Sequence, residues 1–366
     1  MRNLRIKNLP SLFLLLFLVI LVFLFVYFVN KEINSFYLIA TVSQPLIQKE
    51  KPITLIFVGD IILDRGVEWA IQKYGQGDWK FPFLKIADDL KGAKLLFGNF
   101  EGPISDKGVK VGSIYSFRND PKAIEGLKFA GFDILSVANN HIFDYGRIAM
   151  EDSFLRLKEV GIDHLGGGFN EKEAYSPIIK EIKGTKIAFL AYTNLGTPYW
   201  SAKGERSGIA WLTEEKLEEG IKKAREMADL VIVSMHFGEE YQQKPSTVQK
   251  YFAHLAIDSG TDLVIGHHSH VVQEVDEQSS SSRTSSLERV RKNFNSFDFA
   301  NARIIEKYKN GYIVYSLGNF VFDQSFSEET MKGLLLKVSI KNAKIDEVIP
   351  IEIKINGYFQ PEITEK

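Results

Sequence analysis

The chain has 366 residues with 45 basic and 46 acidic side chains, a formal net charge of −1, and no cysteine. This balance, without a basic stripe, gives no reason to expect a nucleic-acid partner. The lack of cysteine excludes disulfides and thiolate-bound zinc, so any metal must be held by His, Asp, Glu or Asn.

The first thirty residues have the pattern of a membrane anchor. A basic segment, 1–10, precedes an uncharged run, 11–29, that is rich in Leu, Phe and Val and long enough as a helix to cross a hydrocarbon core of about 30 Å. Positive charge before the span predicts a single-pass protein of the cell membrane whose C-terminal domain is extracytoplasmic. The alternative is a long signal sequence removed near residues 40–43, although no Ala-x-Ala motif stands there.

Residues 30–51 are predicted to be a tether, followed by one domain at 52–357 in which apolar runs alternate with helical patterns. The predicted strands are Ile53–Gly59, Lys94–Gly98, Phe132–Val137, Lys186–Ala191, Leu230–Ser234 and Asp262–Gly266. The predicted helices are Phe83–Leu90, Pro121–Ala130, Ile148–Val160, Thr213–Ala228 and Val248–Ser259. This alternation indicates an α/β fold with covered sheet faces.

The C-terminal part has a different pattern. Three runs, Tyr312–Ser316, Gly333–Ile340 and Lys344–Ile355, are expected to form consecutive antiparallel strands that pair with a second sheet. The result would be a helix/sheet/sheet/helix sandwich. Residues 277–302 begin with a polar, Ser-rich stretch of low complexity, which predicts a flexible surface insertion.

Polar residues follow the carboxyl ends of the predicted strands, and five of the seven histidines are among them. The residues are Asp60, Asp64 and Arg65, then Asn99 and Glu101, Asn139, Asn140, His141 and Asp144, His236, Glu239 and Glu240, and finally His267, His268 and His270. Loops after adjacent strands of an α/β sheet converge on one crevice, and a mixture of O and N ligands suits Zn, Mn or Fe. Each residue alone could be a helix cap, a turn residue or a core histidine. Together they indicate a functional site.

Two further features bear on chemistry. Arg118 could grip a carboxylate or phosphate, or it could pair with Asp120. The sequence has no Gly-x-Ser-x-Gly elbow, Walker loop or dinucleotide fingerprint, so serine hydrolases, ATPases and dehydrogenases lack their defining parts here.

Six ordered motifs resemble those of the bacterial capsule synthesis protein CapA family. The motifs are Gly59-Asp60 with Arg65, Gly98–Glu101, Ala138–His141 with Asp144, His236–Tyr241, Gly266–Val271 and Tyr315–Phe320. The family is associated with poly-γ-glutamate capsule synthesis and export and looks related to calcineurin-like metallophosphatases. The resemblance covers Thr54–Phe322 and implies a four-layer αββα metallophosphatase-like sandwich.

The resemblance also implies roles for the residues at the predicted strand ends. The implied ligands of a divalent metal ion (Mn, Zn or Fe) are Asp60, Asn140, His236, His268 and His270, and Glu101 is expected to join them as a substitute for a missing carboxylate. His141, oriented by Asp144, is the implied catalytic pair. Substrate contacts are expected from Arg65, Asn99, Arg118, Glu240 and His267.

Two positions depart from the metallophosphatase pattern. Ile62 stands in place of a motif histidine, and Asn99 in place of the aspartate that bridges two metals. Loss of the bridging carboxylate favours one metal ion rather than two.

Three functions agree with this sequence. The leading one is a membrane-anchored protein for synthesis or export of an anionic surface polymer such as poly-γ-glutamate, with a metal-dependent hydrolase-like site. Its expected partners are the polymer and other membrane subunits of the synthesis or export machine. The alternatives are a non-catalytic polymer-binding scaffold subunit and a cell-surface metallophosphoesterase, and the sequence leaves open whether the protein is an enzyme.

Overall fold

The structure, a computed structural model, describes residues 9–42, 52–275 and 304–364. The chain divides into two compact units, Met1–Lys51 and Pro52–Lys366. Most of the predicted basic segment, residues 43–51 of the predicted tether and the predicted insertion 277–302 lie outside the described residues.

The first unit contains one long helix, α1 (Leu9–Val42). Its segment Phe13–Ser35 has 23 residues and a mean hydropathy of 3.0. At about 1.5 Å per residue this segment is about 35 Å long, enough to cross a bilayer core of about 30 Å. The helix continues beyond the predicted anchor 11–29, so the predicted tether is helical up to residue 42. The sequence has no Gly or Pro between residues 11 and 44 to end the helix earlier.

The second unit is built on two sheets. Its strands, in chain order, are β1 (Ile53–Ile61), β2 (Leu95–Phe100), β3 (Ile134–Ser136), β4 (Asp163–Leu165), β5 (Gly167–Gly168), β6 (Ile178–Ile182), β7 (Thr185–Thr193), β8 (Gly208–Ile209), β9 (Leu230–His236), β10 (Leu263–His267), β11 (Glu306–Tyr308), β12 (Gly311–Val314), β13 (Asn319–Val321), β14 (Lys332–Lys341), β15 (Lys344–Ile355) and β16 (Pro361–Ile363). The first sheet has the order β16-β15-β14-β1-β2-β3-β4, with β13 also paired to β1. The second has the order β11-β12-β10-β9-β7-β6, and β5 and β8 form a small separate pair.

Helices cover the outer faces of both sheets. They are α2 (Arg65–Lys73), α3 (Ala87–Leu90), α4 (Ala123–Ala130), α5 (Gly146–Glu159), α6 (Glu171–Tyr175), α7 (Glu214–Met227) and α8 (Thr247–Asp258). Apolar side chains of α2, α4 and α5 pack on the first sheet, and those of α7 and α8 pack on the second.

A third apolar cluster lies between the sheets. There the rings of Phe57 and Phe97 from the first sheet pack at centroid distances of 6.5 and 6.3 Å from Phe189 of the second. All three rings are buried, and burying a ring of this size contributes roughly 1.5–3 kcal/mol. The predicted four-layer helix/sheet/sheet/helix sandwich is confirmed.

The six predicted α/β strands are all present, but they divide equally between the two sheets. The predicted helix at Phe83–Leu90 is wrong in its extent, because the chain forms a 3-10 turn at Phe81–Phe83 and then only α3. The hydrogen bonds at the start of this segment join residues three positions apart, as in Leu84 N–H to the Phe81 carbonyl at 3.3 Å. Pro82, which lacks an N–H, fits such a tight turn.

The C-terminal strands also differ from the prediction. β14 and β15 form the expected antiparallel hairpin, but β14 joins the first sheet beside β1. β12 instead lies parallel to β10 in the second sheet. The segment between β10 and β12 is more than 40 residues long, which permits the crossover that a parallel partner requires.

Candidate metal centre

Strand register brings the polar residues of both sheets to one edge. Asp60 of β1 lies opposite Asn99 of β2, and His236 of β9 lies opposite His267 of β10. β1 approaches β13 closely because residue 59 is glycine: a Cβ there would lie 1.9 Å from the Gly318 carbonyl oxygen. The backbone N–H of Asp60 donates to that carbonyl at 3.0 Å, so Asp60 is fixed at the base of the site.

One group of candidate ligands, the first triad, consists of Asp60, Glu101 and His236, whose ligand atoms all lie within 4.8 Å of one another. All three side chains are buried. The side-chain amide nitrogen Nδ2 of Asn99 lies among them, 2.8 Å from Asp60 Oδ1, 3.1 Å from His236 Nδ1 and 3.4 Å from Glu101 Oε1. Its other amide atom, Oδ1, faces the Asn139 amide at 3.4 Å. An amide donor therefore stands between the ligand atoms of the first triad.

A second group, the second triad, consists of Glu240, His268 and His270, again with ligand atoms within 4.8 Å of one another. His268 and His270 have φ angles of 92° and 56°, in the left-handed region that non-glycine residues rarely adopt. The backbone N–H of His268 donates to Asp60 Oδ2 at 3.1 Å, and His270 Nδ1 lies 3.0 Å from Asn319 Oδ1. The loop after β10 thus holds two imidazoles at one place despite its backbone strain.

His141 and Asp144 form a close pair beside the triads. His141 Nδ1 lies 2.7 Å from Asp144 Oδ2, while its Nε2 faces Glu101 Oε2 at 3.8 Å. The ring stacks on Phe117 at 4.0 Å, and the Phe117 backbone N–H also donates to Asp144 Oδ2 at 2.8 Å. These contacts fix the orientation of the imidazole, and about 10% of the His141 side chain remains exposed.

Burial and mutual contact shift the pKa values of the carboxylates in this cluster. Burial opposes ionisation of Asp60, but close contacts with His267 and His270 hold its pKa well below the usual range. Burial raises the pKa of Glu101 well above its usual range, against the opposing effect of His270. The two buried carboxyl groups therefore differ in their readiness to ionise.

The imidazoles are shifted as well. Burial, helped by neighbouring imidazoles, lowers the pKa of His236 well below its usual range and that of His268 to about 3. Burial opposes protonation of His270, but the charge of Glu101 and the contact with Asp60 raise its pKa to about 9. His236 and His268 are therefore neutral near pH 7, which is the state of imidazole that binds metals.

Several buried atoms in this cluster have no hydrogen-bond partner among the described residues. They are Glu101 Oε2, His268 Nδ1 and both ring nitrogens of His267, whose Nδ1 lies 3.4 Å from Asp60 Oδ1 without hydrogen-bond geometry. Buried polar atoms almost always have partners in folded proteins. Unpartnered carboxylate and imidazole atoms gathered in one place fit a divalent cation such as Mn, Zn or Fe.

The other predicted site residues occupy varied positions. Asn140 Oδ1 contacts His236 Nε2 at 2.8 Å, so Asn140 belongs to the cluster. Arg65 forms an ion pair with Asp323 and lies over the Phe117 ring, so its charge is already engaged.

Arg118 lies over the Tyr145 ring at 4.3 Å. Asn99 and His267 are fully buried within the cluster rather than at its surface, whereas Glu240 is exposed at the second triad. Sequence reasoning missed Asn319 as the partner of His270, although the Gly-Asn turn that follows a strand was a signal.

Comparison with known proteins supports the resemblance seen in the motifs. The family described as bacterial capsule synthesis protein PGA_cap matches residues 54–324. The capsule biosynthesis protein CapA of Bacillus anthracis is 30% identical over 323 residues, covering 84% of this chain and 69% of that protein. The PGA biosynthesis protein CapA of Bacillus subtilis is 29% identical over 302 residues, covering 81% and 70%.

Among solved structures, the chain is similar to a novel phosphatase from Mycoplasma pneumoniae. The TM-score is 0.45 at 16% identity, covering 86% of this chain and 95% of that one. A likeness of this size says nothing about activity. The family match spans most of the second unit and agrees with the six motifs, and the chain belongs to the bacterial capsule synthesis protein family PGA_cap.

Proposed function

We propose that this chain is an accessory protein of poly-γ-glutamate synthesis or export that binds one divalent cation in a hydrolase-like site. The names of its relatives support the polymer, and the cluster of buried ligand atoms supports the cation. The observation that carries the proposal is the second triad, with the unpartnered His268 Nδ1. The proposal thus assigns a role in polymer synthesis or export and a cation site to the same chain.

One cation is proposed rather than two because of Asn99. Its amide N–H groups already satisfy ligand atoms of the first triad, where a second cation would have to lie. Glu240, His268 and His270 would hold the cation, which would displace the proton that His270 carries near pH 7 in its absence. Asp60 would support the site through the His268 backbone. A cation there supplies Lewis-acid polarisation of a substrate carbonyl or phosphoryl group.

The protein's own contribution to hydrolysis is the His141–Asp144 pair. Asp144 engages Nδ1 of the ring, so the nitrogen that faces Glu101 and the triads is Nε2. A proton is gained or released at this Nε2, and the stacked Phe117 ring keeps it in position. Proton transfer by a positioned imidazole contributes about 10²–10⁴-fold to a rate.

Elemental analysis of the purified full-length chain tests the metal proposal. We expect one equivalent of metal in the wild type, loss of the metal in His268→Ala, and retention in the matched control His254→Ala. His254 lies on α8 and pairs with Glu306, away from both triads. Finding no bound metal in the wild type, or equal content in both variants, would reject the proposal.

A non-catalytic scaffold is the second candidate, and Asn99 and Ile62 favour it. Both replace metal ligands of the phosphatase pattern, so the crevice could bind polymer without turnover. Metal-loaded protein should be incubated with poly-γ-glutamate and with a simple phosphodiester. Binding without cleavage supports the scaffold, cleavage of γ-glutamyl bonds supports the hydrolase, and cleavage of the phosphodiester supports a metallophosphoesterase.

The same proposal places the chain in the cell membrane through α1, with the second unit extracytoplasmic and in contact with other membrane subunits. The length and apolarity of Phe13–Ser35 support the anchor, and the basic residues before it support the orientation. Protease added to intact cells should digest the second unit. Protection from the protease until the cells are lysed would contradict this orientation.

A further inference from the structure

Two arginines lie close together outside both triads. Arg147 is the second residue of α5, and Arg206 lies in the turn before β8. The guanidinium of Arg147 lies over the Phe143 ring at 5.2 Å, and that of Arg206 over the Tyr199 ring at 4.7 Å. Burial, and next the charge of Arg206, lower the pKa of Arg147. The two cations are thus near enough to repel each other in a partly buried setting.

Neither guanidinium forms an ion pair with a carboxylate of the described chain. Arg206 donates from Nη2 to the Ser201 carbonyl at 3.1 Å, and Arg147 donates from Nη1 to Ser207 Oγ at 3.3 Å. The Nε of Arg206 is buried and has no partner within the described residues.

By contrast, Arg65, Arg156 and Arg225 form ion pairs with carboxylates, while Arg118 lies over the Tyr145 ring. The charge of Glu151 works against the lowering of the Arg147 pKa. The Glu151 carboxylate already accepts a hydrogen bond from Ser207 Oγ. Glu151 offsets part of the Arg147 charge without forming an ion pair with it. Planar guanidinium groups bind carboxylate or phosphate oxygens through paired hydrogen bonds, so an added oxyanion would reduce the remaining repulsion between the two arginines.

A single turn connects this arginine pair to the candidate catalytic pair. Phe143, beneath Arg147, stacks on Trp200 at 5.2 Å with an interplanar angle of 7°. The next residue, Asp144, holds His141. Phe143 and Asp144 lie in the turn that precedes α5, so the ring on which Arg147 lies is adjacent in sequence to the residue that holds His141.

We propose that Arg147 and Arg206 form an anion-binding subsite that holds a carboxylate of an acidic polymer, and that the turn before α5 links this subsite to the His141–Asp144 pair. The oxyanion chemistry follows from the two guanidinium groups, whereas the identity of the polymer rests on the proposed function. The exposed Tyr199 ring and the partly buried Trp200 ring supply apolar surface for the methylene groups between successive carboxylates. Arg147 and Arg206 are positioning residues that set which unit of the polymer reaches the metal centre.

Binding measurements on the full-length chain in detergent test this subsite. The probes are poly-γ-glutamate, polyphosphate as a second oxyanion, and neutral polyglutamine. We expect Arg147→Gln and Arg206→Gln each to weaken poly-γ-glutamate binding by about 10-fold, which corresponds to about 1.4 kcal/mol. Arg206→Lys should retain part of the affinity, because lysine keeps the positive charge but lacks the planar guanidinium group that forms paired hydrogen bonds.

Lys222→Gln is the matched control, since it removes one positive charge from an exposed position on α7. Thermal unfolding of each variant checks that the fold is intact, and Arg147→Gln and Arg206→Lys serve if Arg206→Gln is unstable. Poly-γ-glutamate affinity that falls no further in the arginine variants than in Lys222→Gln overturns the subsite but leaves the proposed function standing. Arginine-dependent binding of polyphosphate, with no binding of poly-γ-glutamate, supports the subsite and overturns the proposed polymer.

Discussion

Replacing Asn99 by Asp is the sharpest test of the one-cation centre. The substitution puts a carboxylate oxygen where the amide nitrogen now lies, 2.8 Å from Asp60 Oδ1 and 3.4 Å from Glu101 Oε1. At an effective dielectric constant of about 20, two unit charges 2.8 Å apart repel by about 6 kcal/mol. Protonation limits this cost, because raising a carboxyl pKa from about 4 to above 7 takes about 4 kcal/mol.

Without metal, Asn99→Asp should therefore lose up to about 4 kcal/mol of unfolding free energy at pH 7. With metal, the new carboxylate supplies the bridging acid that a second cation requires. We expect two equivalents of metal in place of one, and a larger stabilisation by metal than in the wild type. Elemental analysis and denaturant unfolding with and without a chelator measure both effects.

Asn99→Leu is the control for this prediction. It removes the amide donor without adding charge, so it should lose about 1–3 kcal/mol of stability and still bind one equivalent of metal. Two equivalents in the wild type, or an unchanged number in Asn99→Asp, would refute the role assigned to the amide.

Three further predictions concern catalysis, pH and packing. Asp144→Asn should lower any hydrolysis rate by about 10²–10⁴-fold with metal content unchanged, because His141 loses the acceptor that orients its ring; an unaltered rate would contradict this role. Burial lowers the pKa of His164 from 6.5 to about 4, so between these values the unfolded chain binds a proton that the folded chain does not. The free energy of unfolding should consequently fall by about 1–2 kcal/mol between pH 7 and pH 5 because of His164. Denaturant titrations of His164→Gln should show a smaller loss over the same range, and an equal loss would contradict the role of His164. Gly59→Ala should cost about 3 kcal/mol or more, since its Cβ would lie 1.9 Å from the Gly318 carbonyl oxygen, and a wild-type unfolding midpoint would disprove this packing.

Much of the fold could be predicted because strands and helices have local signals. The apolar runs at β1, β2, β7, β9 and β10 are buried strands, as their sequences indicate. The assignment of strands to sheets could not be predicted in the same way. β12 and β14 are both apolar runs in sequence, yet β14 joins the first sheet and β12 joins the second. Their pairing depends on partner strands that are distant along the chain.

The candidate site shows the same division. The motifs placed Asp60, His236 and His268 at strand ends, and the structure brings them to one cluster. The sequence did not indicate that the charge of Arg65 is engaged by Asp323, a residue 258 positions away. Nor did it distinguish Arg147 from other surface arginines, since an unpaired cation is defined by what surrounds it.

By itself, the sequence determined which residue types stand at the ends of the strands and therefore that carboxylates and imidazoles face one edge of the sandwich. Only the tertiary structure decided which of them touch. Asn99 and Asp60 come from neighbouring strands of one sheet, while His236 comes from the other, and the packing of the two sheets puts the Asn99 amide between them. Hydrogen bonds act over about 3 Å, so the Asn99 amide can bridge Asp60 and His236 only because the two sheets pack at the right distance. No local sequence pattern encodes that distance.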